Sequence, residues 1–483
     1  MKRASPLGMN ELSNQLTPSR KALEVKTSRT KTIRRFHKIP RLVFARDSRL
    51  TSYAGLVVFQ SLFARLDLKR RLRACFDCSA SQAIYQPASV MLLLVIHVLI
   101  GFRRLRGLEY YRDDPLVARL VGWSRLPDVS TVSRSLAAMD HRSVDGVRSL
   151  LRQLVTNRLA AESISRVTVD FDGSVQSTTG HAEGTAIGFN KVKKGARSYY
   201  PLFCTVAQTG QFFDMHHRPG NVHDSNGAAA FMAHCLAELR AALPGKRFEA
   251  RIDSAFFNDL VFPTLDGAGV EFSCSVPFHR FGELKTLIGQ RQHWHRIDER
   301  WACFECAWHP KCWKSSYRFI FLRQRKIVRA TGPLQLDLFE PVSHEFDYTV
   351  IATNKHQKAP AILLFHHGRG SQEKIFGEAK QHAAIGVLAT RRLIGNQIFT
   401  LAGMLAHNLA RELQMVGRRP AEKALPKRPA LWPFHGLGTI RQHLLHRAGT
   451  LTRPRGELTL TIGANRRVER EMVELLDRLS HAA

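Results

Sequence analysis

Acidic side chains are in short supply. The 483 residues hold 40 Asp+Glu against 72 Lys+Arg, leaving a formal charge of +32 and a pI near 10.5. The surplus runs along the whole chain, so it is more than a basic tail. It argues for a polyanionic partner, nucleic acid ahead of a membrane surface. Long apolar runs are missing too. The most hydrophobic, Val90 to Phe102, includes His97 and falls short of the roughly 20 residues needed to span a bilayer. It reads as a buried core helix. The eight cysteines are scattered, mostly singly, and no signal peptide is recognisable. That points to free thiols in a reducing compartment. Internal repeats and long low-complexity tracts are absent.

What is present suits a multidomain globular chain. Its length suggests two to four domains, and 44% apolar content is ample for a core. Residues 1–50 are basic and weakly hydrophobic, with Arg34, Arg35, Lys38, Arg41, Arg46 and Arg49. Their composition superficially suits a transit peptide, but a disordered arm that tracks DNA explains it as well and is preferred. From 51 to 160 the pattern is all-α. Val57, Val58, Leu62, Leu66 and Leu68 alternate with Arg65, Lys69, Arg70, Arg71 and Arg73, giving an amphipathic helix with a basic edge. After the turn at Leu126-Pro127, Asp128 or Ser130 can cap a short helix whose first turn exposes Ser130, Thr131 and Arg134. It looks like the second helix of a helix-turn-helix, whose N-terminal side chains reach base edges or phosphates. The plainer reading is a well-capped structural helix.

At Arg166 the period switches to two. Val167, Val169 and Phe171 fall on one face of a strand and Thr168, Asp170 and Asp172 on the other. Neighbouring carboxylates on a strand face repel, a cost best tolerated where a cation sits. A basic loop with Lys191, Lys193, Lys194 and Arg197 follows, its cations expected to contact phosphate. Then come a hairpin over Leu202–His217, an Ala-rich helix over Asn226–Leu243, a strand from Phe248 to Asp253, a helix from Phe256 and a strand over Val270–Val276. This order resembles the ribonuclease H-like fold, in which the first and fourth strands lie side by side, each presenting an aspartate. Asp172 and Asp253 occupy those places. The fold class expected is therefore α+β or α/β, a ribonuclease H-like mixed sheet with flanking helices over 161–277 and 347–416. A β-rich insertion at 278–346 interrupts it, and the all-α DNA-binding region precedes it. Residues 417–483 would be a basic, Pro- and Arg-rich linker ending in an amphipathic helix.

Gly368 to Lys380 reads as a helix opening after a strand end, with Ser371 its N-cap. Arg369, Glu373 and Lys380 share a face, while Glu378 points elsewhere. Taken alone this is a solvated helix with ordinary charge pairs. With Asp172 and Asp253 it supplies an oxygen-only cluster of the kind Mg²⁺ prefers.

Four segments together resemble bacterial insertion-sequence transposases of the Asp-Asp-Glu type. That family carries Tyr-x2-Arg-x3-Glu-x6-Lys around its third acid; here the frame falls on His366, Arg369, Glu373 and Lys380. Asp172-Gly173-Ser174 and Asp253-Ser254-Ala255-Phe256 match the contexts of the first and second acids, and Gly220-Asn221-Val-His-Asp224 a segment between them. The departure is His366 in place of tyrosine. The resemblance implies catalysis and metal binding by Asp172, Asp253 and Glu373, with Mg²⁺ as cofactor and Mn²⁺ substituting. Arg369, Lys380 and His366 would contact DNA. It implies double-stranded DNA partners, both the element's terminal inverted repeats and target DNA, a homodimer on DNA, and a cytoplasmic, nucleoid-associated location in bacteria. A catalytically inactive repressor of the element and a ribonuclease H-like nuclease remain as alternatives.

Rival features are weaker. Asp170 competes with Asp172 from the same strand face. Cys303, Cys306, His309 and Cys312 have the donor types of a zinc knuckle, but their spacing makes a very tight loop. Trp301, Phe304, Trp308 and Trp313 point instead to an aromatic β segment.

Overall fold

The computed structural model describes residues 41–44, 47–76, 84–190, 193–326, 345–425 and 428–481. The chain divides into two compact units, Met1–Asp47 and Ser48–Ala483. Most of the expected basic arm lies outside the described residues.

The second unit begins with helices: α1 Leu56–Arg65, α2 Leu68–Ala74, α3 Pro87–Leu99, α4 Pro115–Val121, α5 Val129–Ala138 and α6 His141–Ala161. The amphipathic stretch after Tyr53 is two helices rather than one, broken at Asp67, whose φ of 48° no helix accepts. Helix α3 begins on Pro87, where a missing N–H costs nothing. It is buried on every side, as its near-continuous apolar sequence requires. Asp140 caps α6 by accepting from the Ser143 N–H at 2.9 Å.

The sheet strands are β1 Arg166–Gly173, β2 Leu202–Val206, β3 Gln211–His216, β4 Arg247–Ile252, β5 Glu271–Ser275, β6 His295–Arg296, β7 Trp301–Trp308, β8 Tyr317–Arg325 and β9 Phe346–Thr353. Their spatial order is β6-β7-β8-β9-β5-β4-β1-β2-β3. β1 runs antiparallel to β2 and parallel to β4; β4 and β5 are parallel, and β2 and β3 antiparallel. The five strands from β3 to β5 thus have the ribonuclease H-like arrangement, with the first and fourth adjacent. The aromatic-rich stretch before Tyr348 does not leave the sheet. β7 and β8 pair with each other and, through β9, continue the hydrogen-bonded array from β5. Trp313 stacks on Phe257 at 4.7 Å, and Trp308 packs edge-on against Phe319. Cys303 and Cys306, three residues apart on β7, point to opposite faces.

The remaining helices are α7 Ala228–Ala242, α8 Val261–Gly267, α9 Gly282–Gln290, α10 Ala359–His367, α11 Gly370–His382, α12 Leu393–Gly417 and α13 Arg466–His481. One core joins the front helices to α11, α12 and the outer side of the β2–β3 hairpin; a second lies between the sheet and α7–α9. Helix α6 is keyed to the sheet by Arg148 and Arg152, which grip the buried Asp214 of β3 at 2.8–2.9 Å. The stretch expected as a linker contains a helical segment over Leu437–Leu445 and a hairpin, Gly449–Thr452 with Thr459–Ile462, that pairs with Leu50–Thr51.

Candidate active site

The parallel register pairs Asp170 of β1 with Arg251 of β4. Two residues further on, the same register brings Asp172 level with Asp253, so both stand at the carboxyl ends of adjacent parallel strands. That is where open α/β sheets bind their ligands. Asp170 is spent: both its oxygens lie 2.6 Å from the Arg251 guanidinium, and both residues are fully buried. Asp172 has no such partner. Burial and then the neighbouring Asp253 push it up to about 7, against Arg369 and the Gly173 N–H, which favour its charge; Asp224 adds to the upward push. Asp253 sits at the N-cap of a short turn and accepts from the Ala255 N–H at 2.9 Å.

Asp224 makes this a neighbourhood of three aspartates. Its Oδ2 accepts from the Tyr200 hydroxyl at 2.8 Å, and Oδ1 is buried with no hydrogen bond. Arg218 stands 3.5 Å from Oδ1. Burial raises Asp224, and so does Asp253, while Tyr200 and Arg218 oppose. A Cβ at position 173 would come within 2.4 Å of Asp224 Oδ1 and 2.8 Å of the Tyr200 ring, so glycine is required after Asp172. The Gly-Asn-x-x-Asp pattern had put Asp224 in view, but nothing in the sequence said which side of the sheet it would reach.

The third acid comes from α11. The strand end expected just before Gly368 is instead the end of helix α10; Pro360 in the first turn of that helix suits its start. The chain then passes through Gly368 almost without interruption into α11. Arg369, not Ser371, takes the N-cap position, and the Ser371 hydroxyl donates to the Gly368 carbonyl at 2.8 Å. Arg369 reaches Glu373 at 3.6 Å and bears electrostatically on Asp172. Lys380, two turns on, feels Asp172 as well; burial lowers its pKa and Asp172 opposes. Glu378 points elsewhere, to Arg411 and the Leu437 N–H. Glu373 itself is 68% exposed. Among the described residues no three His, Cys, Asp or Glu side chains stand together as a metal-holding group. The structure thus brings Asp172 and Asp253 together and leaves Glu373 one guanidinium away.

Two residues expected to contact DNA, His366 and Arg197, are instead bonded within the protein. His366 is buried against β5, its ring nitrogens 2.9 Å from Ser273 Oγ and 2.8 Å from Ser275 Oγ. Burial, then Arg369, pushes it down to about 3, so it is a neutral core residue that cannot meet a phosphate. Arg197 spends its guanidinium on Thr185, side chain and carbonyl, within a small sheet formed by Gln176–Ser177, Ala186–Ile187 and Arg197–Tyr199. Lys193 and Lys194 are exposed at the loop tip, and Lys191 lies outside the described residues. On α5, Ser130 and Arg134 are exposed and Thr131 half-buried. Asp128 stands at the N-cap, but its carboxylate goes to Arg112 at 2.9 Å instead of the helix.

The family model described as "Transposase DDE domain group 1" matches residues 42–483. The chain belongs to that family. It is a DNA transposase, an enzyme that cleaves and transesterifies phosphodiesters, and DDE transposases use divalent metal ions. The oxygen donors of Asp172 and Asp253, with Asp172 pushed up by burial and by its acidic neighbour, fit such an ion. No curated protein matches the transposase. Among solved structures, a piggyBac transposase synaptic complex with hairpin DNA aligns over 81% of this chain and 79% of its own, at 10% identity and a TM-score of 0.41. A Mos1 mariner paired-end complex with Mn aligns over 35% of this chain and 56% of its own, at 15% identity and a TM-score of 0.17. Superpositions this loose add nothing to the family assignment. No described helix is long and apolar enough to cross a membrane.

Proposed function

We propose that the transposase cuts at the ends of its own element and joins the freed 3′ ends to target DNA, using Asp172, Asp253 and Glu373. The observation that carries this is the contrast on one strand: both carboxyl oxygens of Asp170 are taken by Arg251, while Asp172, beside Asp253, has no guanidinium bonded to it and is pushed up to about 7. Asp172 and Asp253 would hold a divalent ion, Mg²⁺ or Mn²⁺, from the sheet, and Glu373 would add the third carboxylate from α11; when bound, such an ion would supply the charge that activates an attacking oxygen and stabilises a leaving one. Arg369 steadies Glu373 and balances Asp172; Lys380, near Asp172, positions phosphate beside the acids. A water is the attacking group in the first step and the 3′-OH in the second. Two ends need two sites, so a homodimer on the terminal inverted repeats is the working form, and a bacterial element the source.

The test incubates the protein and Mg²⁺ with DNA carrying the repeats that flank its own gene. Cut 3′ ends and joined strands are expected, and both disappear in Asp172→Asn. The competing reading, a repressor with an incomplete site, draws on the exposure of Glu373. Specific binding with neither product would favour it.

A further inference from the structure

Helix α5 is docked rather than free, and its exposed face forms one wall of a groove. Docking is possible because Gly395, at the start of α12, has no side chain. A Cβ there would stand 3.3 Å from the Leu136 carbonyl oxygen and 2.8 Å from the Thr390 hydroxyl. The opposite wall is the segment Thr178–Ala182 together with Leu388–Arg392. These two stretches are fastened to each other. The Glu183 N–H donates to the Arg391 carbonyl at 2.9 Å, and the Glu183 carboxylate accepts from the Leu393 N–H at 3.2 Å. Asn396 holds the approach to α12 by accepting from the Ala389 and Thr390 N–H groups at 2.9 and 3.0 Å. The resulting open groove encloses about 640 Å³.

Its chemistry has one sign. Arg134, His181, Arg391, Arg392, Thr178 and Thr179 are among its lining, and no carboxylate is, among the described residues. Arg391 and Arg392 are exposed, and neither they nor Arg134 pairs with an acid among the described residues. Glu183, next along the chain, has turned its carboxylate to the helix backbone. Guanidinium groups and hydroxyls without a counter-acid match a sugar–phosphate backbone. Both stretches of that opposite wall also lead back to the proposed centre: Thr178 follows Asp172 along the chain, and Leu388 follows Lys380.

We infer that this groove holds the DNA backbone on its way to or from the scissile phosphate, with Arg134 gripping from α5 and Arg391 and Arg392 from the catalytic side. This rests on the DNA-cutting reading above. It gives α5 a task unlike that of a free recognition helix, since one face of it and the catalytic body share a strand.

The experiment measures binding of a labelled duplex carrying the flanking repeats, by anisotropy across a salt series, alongside cleavage. Arg391→Glu/Arg392→Glu is compared with Arg466→Glu/Arg470→Glu on α13, which changes net charge equally at exposed positions far along the chain. The groove variant is expected to bind about tenfold or more weakly, with the salt slope reduced by about 2, one for each phosphate no longer neutralised. Arg134→Glu should lower it by about 1. All three alter exposed side chains and should unfold at the wild-type temperature. If the wild type binds and cuts but the groove variant loses no more than the α13 variant, the groove assignment is overturned and the functional reading stands. If the wild type neither binds nor cuts the repeats, the functional reading falls and the groove with it.

Discussion

The parallel strands β1, β4 and β5 carry two pairs of acids, one toward each end, and the pairs are treated oppositely. At the start of β4 and β5, Glu249 and Glu271 are bridged by Arg166 at 2.8 and 2.7 Å and by Lys355 at 2.7 and 2.6 Å. Burial would raise Glu271, but Lys355 and Arg166 outweigh it and hold it down to about 2. At the far end, Asp172 rises to about 7. Acidic pairs are not functional because they are acidic. What separates a structural pair from a candidate metal site is whether the protein itself supplies the cations.

The largest expected effect breaks the centre. Asp172→Asn or Asp253→Asn should reduce end cleavage by about 100-fold or more, on the scale of losing a group that acts on transition-state charge. For Asp172→Asn stability should not fall, since a buried, poorly compensated charge is removed. Next comes the closed pair just inside the site. Arg251→Ala strands Asp170 in the core and should cost about 3–5 kcal/mol in urea unfolding, as should the loss of the buried Lys355 between its two glutamates. Were Arg251→Ala as stable as the wild type, the distinction between spent and unspent acids would collapse.

Metal addition gives a smaller, sharper contrast. Mg²⁺ or Mn²⁺ at about 100 times its Kd should stabilise the wild type by about 2.7 kcal/mol, visible as a rise in Tm. It should do nothing for Asp172→Asn. Glu271→Gln should cost about 1 kcal/mol, the partial exposure of that end discounting the pairs, and leave the metal response intact.

The pH dependence separates the two ends by sign. The Glu271 pKa is depressed on folding, so its contribution is present above the unfolded value near 4.5 and is lost as pH falls toward about 2. The Asp172 pKa is raised, so in chelated protein its charge opposes folding above about 7, and that penalty fades as pH falls toward 4. Buried neutral His97, His217 and His407, with pKa values lowered by burial to about 4, 3 and 4, pull stability down as pH drops below 6.5. Subtracting the Asp172→Asn curve from that of the wild type isolates the aspartate. A flat difference between pH 4 and 7 would show that Asp172 is not strained.

Much of this was legible in the chain. Period-two alternation from Arg166, the hairpin, the Ala-rich helix and the next two strands were readable because strand and helix periods are local. The spacing of Arg369, Glu373 and Lys380 puts three charges on one helix face for the same reason, and the Asp-Gly-Ser context favours Asp172 over Asp170 as the candidate acid. The place of His366 is not local: its surroundings are set by β5, nearly a hundred residues earlier, whose serines bond both ring nitrogens. Helix α10 is not legible locally either, because an apolar run of its length suits a strand or a helix.

The sequence by itself determined which residue types could do the chemistry and which elements carry them, since both are matters of composition and short-range period. Only the tertiary structure decided which acids are already neutralised. Asp170 and Asp172 sit on one strand face, and they differ in partner because Arg251 arrives beside one of them from another strand. That difference arises from through-space electrostatics between distant segments, and no local pattern contains it.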